Sequence, residues 1–365
     1  MRTPAIVLGI AVLLVSGCTQ KEPIRLGFLG GLTGRVADLG EAGRDGTLFA
    51  IEEVNAAGGV NGRSVELLIQ DDQQDAKTAA QATQTLLDAR VDAIIGPMTS
   101  AMGEAVLPVL GRSDRVMVSP TITASKLAGK DDLLFRVAPP VSESTQRSAV
   151  HAYSTGSRQV AIVYDLSNLA FSADWAAHFR RAFSAAGGSV VAEASFTSGQ
   201  DASYGEAVKR VAEAKPDALL FVSNAVDTVR LTQLSRNMHL TQPVTTSHWA
   251  ATESLIQLGG RTVEGMTLAQ YFDRANVSPP YQRFAEAFRK RFRQEPGFAS
   301  VAAYDSTRAV LSAMEKAPGQ PLKQALLDSG PYQGLQTLWN FDRFGDALRQ
   351  THITIVRDGH FVVTD

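Results

Sequence analysis

Cysteine is almost absent, with one in 365 residues, so no internal disulfide can staple this fold. Histidine is scarce too, at six residues, and with a lone cysteine leaves little material for an all-protein zinc site. No metal and no cofactor is expected. Neither sign of charge dominates: 35 lysines and arginines face 37 aspartates and glutamates, which removes the electrostatic case for nucleic acid. There is no apolar stretch of the roughly 20 residues that a membrane-spanning helix needs. The catalytic signatures G-x-S-x-G, H-E-x-x-H and G-x-x-x-x-G-K-[ST] are missing, and Gly27, Gly30, Gly31 and Gly34 do not have the G-x-G-x-x-G spacing. What is present is the make-up of a globular chain with a real core, 44% hydrophobic and 20% charged. Its length suits two or three domains.

The one cysteine is informatively placed. Met1 and Arg2 give a basic start, residues 5–15 are apolar apart from Gly9, and Val15-Ser16-Gly17-Cys18 precedes an abruptly polar stretch. A run this short suits a signal-peptide core. Small residues directly before a cysteine resemble the bacterial lipobox, which makes residues 1–18 a lipoprotein signal and Cys18 the lipidated residue. The alternative is an ordinary secretory signal with an incidental cysteine. Either reading sends the mature protein out of the cytoplasm; the first leaves it periplasmic or at the cell surface, with membrane contact only through its lipid.

From residue 24 onward, short apolar runs alternate with amphipathic stretches. Strands are predicted over residues 24–29, 65–70, 92–95 and 116–119, with helices over 39–55, 76–89 and 101–110 between them. After Ala138-Pro139-Pro140 the pattern restarts, with strands at 160–164, 190–195, 218–222 and 244–246 and helices at 145–153, 174–186, 204–214 and 226–236. Apolar runs of this length between longer helices indicate parallel βαβ units. Two such blocks suggest an α/β fold of two doubly wound lobes with a crevice between them. The tail reads as helices over 280–292, 300–317 and 321–328, then a hairpin turning at Asp358-Gly359.

In open parallel sheets, ligands bind beyond the carboxyl ends of the strands. That selects the loops at residues 30–38, 96–100 and 120–127. The latter two set Ser100 and Thr123 beside helix starts, where hydroxyls and free N–H groups favour a carboxylate. Plain helix capping explains the same residues. Asp71 and Asp72 read as solvated loop acids rather than metal ligands, with Asp75 at the next helix start.

Several stretches together resemble one family: the opening Ile24-Arg25-Leu26-Gly27-Phe28-Leu29, Asn55-Ala56-Ala57-Gly58-Gly59-Val60-Asn61-Gly62, Ile95-Gly96-Pro97 and Ser119-Pro120-Thr121-Ile122-Thr123-Ala124. It is the leucine/isoleucine/valine-binding family of periplasmic receptors for ABC transporters, with the type I binding-protein fold. The resemblance implies a hinge crossed three times, with residues 24–140 plus 270–336 in lobe 1 and 141–269 plus 337–365 in lobe 2. It implies a monomer that closes on a small molecule and docks on a membrane permease, and no enzymatic activity. It assigns the ligand carboxylate to Ser100, Thr121 and Thr123.

The second lobe departs from the family pattern. Phe171 is the best match to a pocket aromatic, Asn224 stands where a tyrosine is usual, and His248, followed by Trp249, replaces the acid that neutralises a ligand's α-ammonium. A buried ammonium needs such a partner, and a histidine supplies at most one acceptor. A carboxylate without an amine, aromatic or keto, therefore fits better than leucine. Phe171, Trp249, Tyr271 and Phe272 offer stacking surfaces, or are simply core. Arg35 is placed to pair with a carboxylate, or is a solvated loop residue. His151, His178, His239, His352 and His360 carry no signal. Two rivals remain: a ligand-sensing subunit acting through a partner, and an extracytoplasmic amidase.

Overall fold

The computed structural model describes residues 21–364; the signal segment and Cys18 lie outside the described residues. The chain opens with β1 (Ile24–Gly30), α1 (Ala37–Ala56), β2 (Val65–Asp71), α2 (Ala76–Asp88), β3 (Ala93–Ile95), α3 (Ser100–Leu110), β4 (Val116–Ser119) and β5 (Leu134–Arg136). The five strands pair in parallel in the order β2-β1-β3-β4-β5. β3 and β4 are buried at every position, as expected of strands covered by helices on both faces.

A second set follows: α4 (Val141–Ser154), β6 (Gln159–Asp165), α5 (Leu169–Ala185), β7 (Ser189–Phe196), α6 (Asp201–Ala212), β8 (Ala218–Val222), α7 (Ala225–Asn237), β9 (Val244–Thr246), α8 (Glu253–Gly259) and β10 (Thr267–Gln270). Then come α9 (Pro279–Phe292), α10 (Phe298–Lys316), α11 (Leu322–Asp328), the short pair β11 (Tyr332–Gln333) and β12 (Leu338–Trp339), and the hairpin β13 (His352–Arg357) and β14 (His360–Val363). The second sheet runs β14-β13-β10-β9-β8-β6-β7. Its β6 to β10 pairings are parallel, and the hairpin adds two antiparallel edge strands. Asp358 and Gly359 both take positive φ, 51° and 69°, the conformation a two-residue hairpin turn requires.

The chain passes between the sheets at residues 137–140, again after β10, and finally before β13. After the second passage α10 returns to pack along α1. A Cβ on Gly46 of α1 would fall 2.1 Å from the Ser300 carbonyl oxygen, so glycine is what lets these helices touch. Phe49 of α1 meets Phe284 of α9 edge-on at 5.6 Å. Residues 345–347 lie beside β5: Arg136 N–H donates to Gly345 O at 2.8 Å, and Ala347 N–H to Arg136 O at 2.9 Å. Two buried ion pairs secure this return, Arg136 Nε with Asp346 Oδ1 at 2.7 Å and Arg349 with Asp305 at 2.9 Å.

Several elements differ from expectation. β5, α8, β10, β11 and β12 were not predicted, and α5 begins at Leu169 rather than at 174. Asp72 is buried rather than solvated: it accepts from Gln74 N–H at 2.9 Å, and burial raises its carboxyl to about 6. Asp71 accepts from Leu32 N–H and Thr33 Oγ, at 2.8 and 2.7 Å, and so pins the loop after β1. Asp75 is the N-cap of α2, accepting from Thr78 N–H.

Candidate functional site

Loops at the carboxyl ends of four strands converge on one cavity between the sheets. Ser100 follows β3, Thr121 follows β4, Phe171 follows β6, and His248 and Trp249 follow β9; together they line one narrow cavity. The geometry begins at Gly96. Its φ is +121°, and a Cβ there would sit 2.0 Å from Leu29 O, so only glycine lets the chain leave β3 at this angle and present the start of α3 to the cleft.

Ser100 opens α3 and is 2% exposed. Its hydroxyl oxygen accepts from Thr123 N–H and Ala124 N–H, both at the long distance of 3.3 Å, and its own proton has no acceptor in these contacts. Thr121 Oγ1 donates to Met98 O at 2.6 Å; it lines the cavity, but its hydroxyl proton is already engaged. Thr123 Oγ1 is buried without a hydrogen-bond partner. It faces a second space, too tight for a water molecule, whose walls include His248, Gln270 and Tyr271.

His248 belongs to both cavities. Burial lowers its imidazole to about 4, so near neutral pH it is uncharged, with one donor and one acceptor nitrogen. Phe171 meets the His248 ring edge-on at 5.2 Å and the Trp249 ring at 5.7 Å. Trp249 Nε1 is buried with no partner. Phe171 sits in the first turn of α5 because that helix starts early, and its ring points inward from there.

Two expected residues are spent elsewhere. Asn224 caps α7, accepting from Asp227 N–H at 2.9 Å and donating to Asp227 Oδ2 at 2.6 Å, and it lines neither cavity. Arg35 does meet a carboxylate, but the protein's own. Its Nε donates to Asp227 Oδ1 at 2.7 Å, and its guanidinium lies 5.9 Å from the Tyr204 ring centre. Asp227 is fully buried and also accepts from Tyr204 and Ser198, at 2.8 and 2.6 Å. Arg35 therefore bridges from the loop after β1 to the second sheet's helices.

Sequence reasoning missed Asn168, Leu39 and Phe298, which also line the first cavity. Asn168 matters most. It is the N-cap position of α5 but makes no cap bond to its own helix. Instead its Oδ1 accepts from Ala101 N–H at the start of α3, at 3.0 Å, occupying a donor that an anion would use. Reading the start of α5 at Asn168 would have found it. Among the described residues no aspartate or glutamate lines either cavity, and no cluster suited to a metal ion is present.

A model of the periplasmic binding protein family matches residues 23–363. The Leu/Ile/Val-binding protein BraC3 of Rhizobium johnstonii is 29% identical over 202 residues, 54% of each chain; the match thus spans about half of that relative's length. A leucine-binding protein of Thermotoga maritima superimposes with a TM-score of 0.86 at 24% identity, covering 94% of this chain and 98% of that one. A solute-binding protein of Rhodopseudomonas palustris, in complex with 3,4-dihydroxybenzoic acid, gives 0.84 at 20% identity, covering 94% and 96%. At these identities the likeness speaks for the fold, which is the type I periplasmic binding fold. Among the described residues no helix is long and apolar enough to cross a membrane. Two parallel sheets, a cleft at their carboxyl ends and a match over nearly the whole length agree: the chain belongs to the periplasmic binding protein family, whose members are extracytoplasmic solute-binding proteins rather than enzymes.

Proposed function

We propose that this protein is the solute receptor of an ABC importer and that it captures a small carboxylate lacking an amine, with a flat apolar body, between its two lobes. The observation that carries this reading is the lining of the cleft. Hydroxyl and main-chain donors lie on one side, the Phe171, Trp249 and Phe298 rings on the others, and there is a neutral imidazole and no acid. The free hydroxyl proton of Ser100 takes the carboxylate; the rings hold the body. An α-ammonium would enter with no anion to meet it, at a desolvation cost of several kcal/mol. The 3,4-dihydroxybenzoic acid held by the Rhodopseudomonas protein is a ligand of this chemical class.

The lobes are residues 24–140 plus 270–336 and residues 141–269 plus 337–365, with the stretch at 340–349 resting on the first. Closure brings both lobes onto one ligand, so ligand affinity favours the closed form, which the membrane permease then receives from a monomer. Cys18 carries the lipid anchor. A thermal-shift series tests the ligand class: benzoate and phenylpyruvate raise the midpoint in proportion to log concentration above Kd, and leucine and phenylalanine at equal concentration do not. Stabilisation by the amino acids alone overturns the reading.

A further inference from the structure

Ser125, in the turn after β4, is held by two side chains one helical turn apart on α5, which packs on the second sheet. Its N–H donates to Asp174 Oδ2 at 2.7 Å, and its Oγ lies 3.0 Å from His178 Nε2. Asp174 Oδ1 stands 3.5 Å from the same ring nitrogen. A serine, a histidine and an aspartate this close suggest a nucleophile with its base, but the order is wrong for that. A catalytic aspartate orients the ring from Nδ1, opposite the serine, whereas here serine and aspartate share Nε2. The three residues form a clasp across the cleft. Unlike the Arg35–Asp227 pair, it contains a group whose charge changes near neutral pH.

We infer that this clasp is a proton-sensitive catch: a proton on the His178 ring favours the parted lobes, so the protein holds its solute near neutral pH and lets it go as the medium turns acid. The inference rests on the closure described above. His178 gave no signal in the sequence, because its partner Ser125 lies 53 positions away.

Two charges act on the ring, both from its own helix. In the closed form burial lowers the imidazole from its ordinary 6.5, outweighing the attraction of Asp174, and Arg181 adds its repulsion. Charges on the neighbouring elements are taken. Glu104 of α3 pairs with Lys126 at 3.1 Å, and Glu193 of β7 pairs with Arg180. On α4, Glu143 accepts from Thr351, and Arg147 and His151 have partners of their own. A protonated ring is thus a cation that closure has to desolvate. Parting the lobes wets the ring and takes the Ser125 N–H away from Asp174, which is then free to act as its counter-ion at i, i+4. The open form binds the proton more tightly, so linkage shifts the lobes apart as pH falls through the range of the ring. His248, which burial lowers to about 4, acts in the same sense once the cleft is wetted.

Small-angle scattering of the full mature protein without added solute, from pH 7.5 to 5, reads the opening directly on wild type and His178→Gln. Glutamine keeps a neutral hydrogen-bonding group beside Ser125 and takes up no proton. The wild-type radius is expected to grow with acid, and in His178→Gln that growth shrinks by at least a third. His248 and Asp165 also titrate over or near this range, so the difference between the two proteins is the measure. Imidazole NMR titration supplies the reciprocal readout. Arg35→Met parts the lobes at a separate contact, and the His178 midpoint is expected to rise toward 6.5 in that variant. A wild-type radius indifferent to acid, equal growth in both proteins, or a His178 midpoint that stays in place while Arg35→Met enlarges the radius overturns the catch and leaves closure standing. A radius that answers to neither acid nor Arg35→Met overturns closure and catch together.

Discussion

At the rim of the cleft the polar groups of the two lobes satisfy one another. Arg35 meets Asp227, Thr252 donates to Asp38, and Ser125 N–H donates to Asp174 at 2.7 Å. Deeper in, Thr123 Oγ1, Gln270 Oε1, Tyr271 Oη and Trp249 Nε1 have no partner. The rim bonds use only the protein's own groups, so they bear on how readily the lobes close. The interior carries a desolvation cost that only a solute relieves, so it sets which solute closes them. Closure energy and selectivity thus reside in different residues.

The widest separation of the two regions is expected with pH. His248 titrates at about 4 in the folded state against 6.5 in the free side chain. The unfolded chain therefore binds more protons between those values, and stability falls as pH drops through that window, by ~3 kcal/mol in full. Asp72 and Asp165, raised to about 6 by burial, act in the opposite sense. The clean measurement is thus the difference in unfolding free energy between wild type and His248→Asn from pH 7 to 4. A flat difference would mean that the imidazole is solvated and the interior is not dry.

Next in size, Thr123→Val is expected to weaken acid binding by ~2 kcal/mol, about 30-fold, while the ligand-free midpoint stays within a degree or rises. Unchanged affinity by calorimetry would remove Thr123 from the binding site. The smallest effect belongs to the rim. Arg35 is about one-third exposed, so solvent screens its pair with Asp227, and Arg35→Met is expected to cost ~1 kcal/mol of closure. Small-angle scattering would then show a larger ligand-free radius, and affinity for all solutes would fall together by about fivefold. A loss confined to one solute would place Arg35 in the selective interior and dissolve the distinction.

Much of the fold was legible because parallel strands covered on both faces leave unbroken apolar runs, as in residues 93–95 and 218–222. β5 and β10 were not, for a physical reason. Leu134–Arg136 has three residues, and Thr267–Gln270 is only partly apolar; each becomes a strand by the neighbours it joins. Ser100, Thr121 and Thr123 were legible as residues near helix starts, which announce themselves locally, and the structure places them at the cleft. In the second lobe the placements differ from expectation. Asn224 followed by Asp227 is a capping arrangement visible in the sequence, whereas the Arg35–Asp227 pair spans 192 positions and no local pattern encodes it. Asn168 was lost because the start of α5 was read too late.

The packing of α10 on α1 also bears on how the chain is made. The first sheet is complete by residue 136, yet the helix that covers the Gly46 side of α1 ends only at Lys316. A polypeptide emerging from its amino end therefore has to hold its leading third in an unfinished state while the second lobe is synthesised. Long-range closure of this kind slows folding.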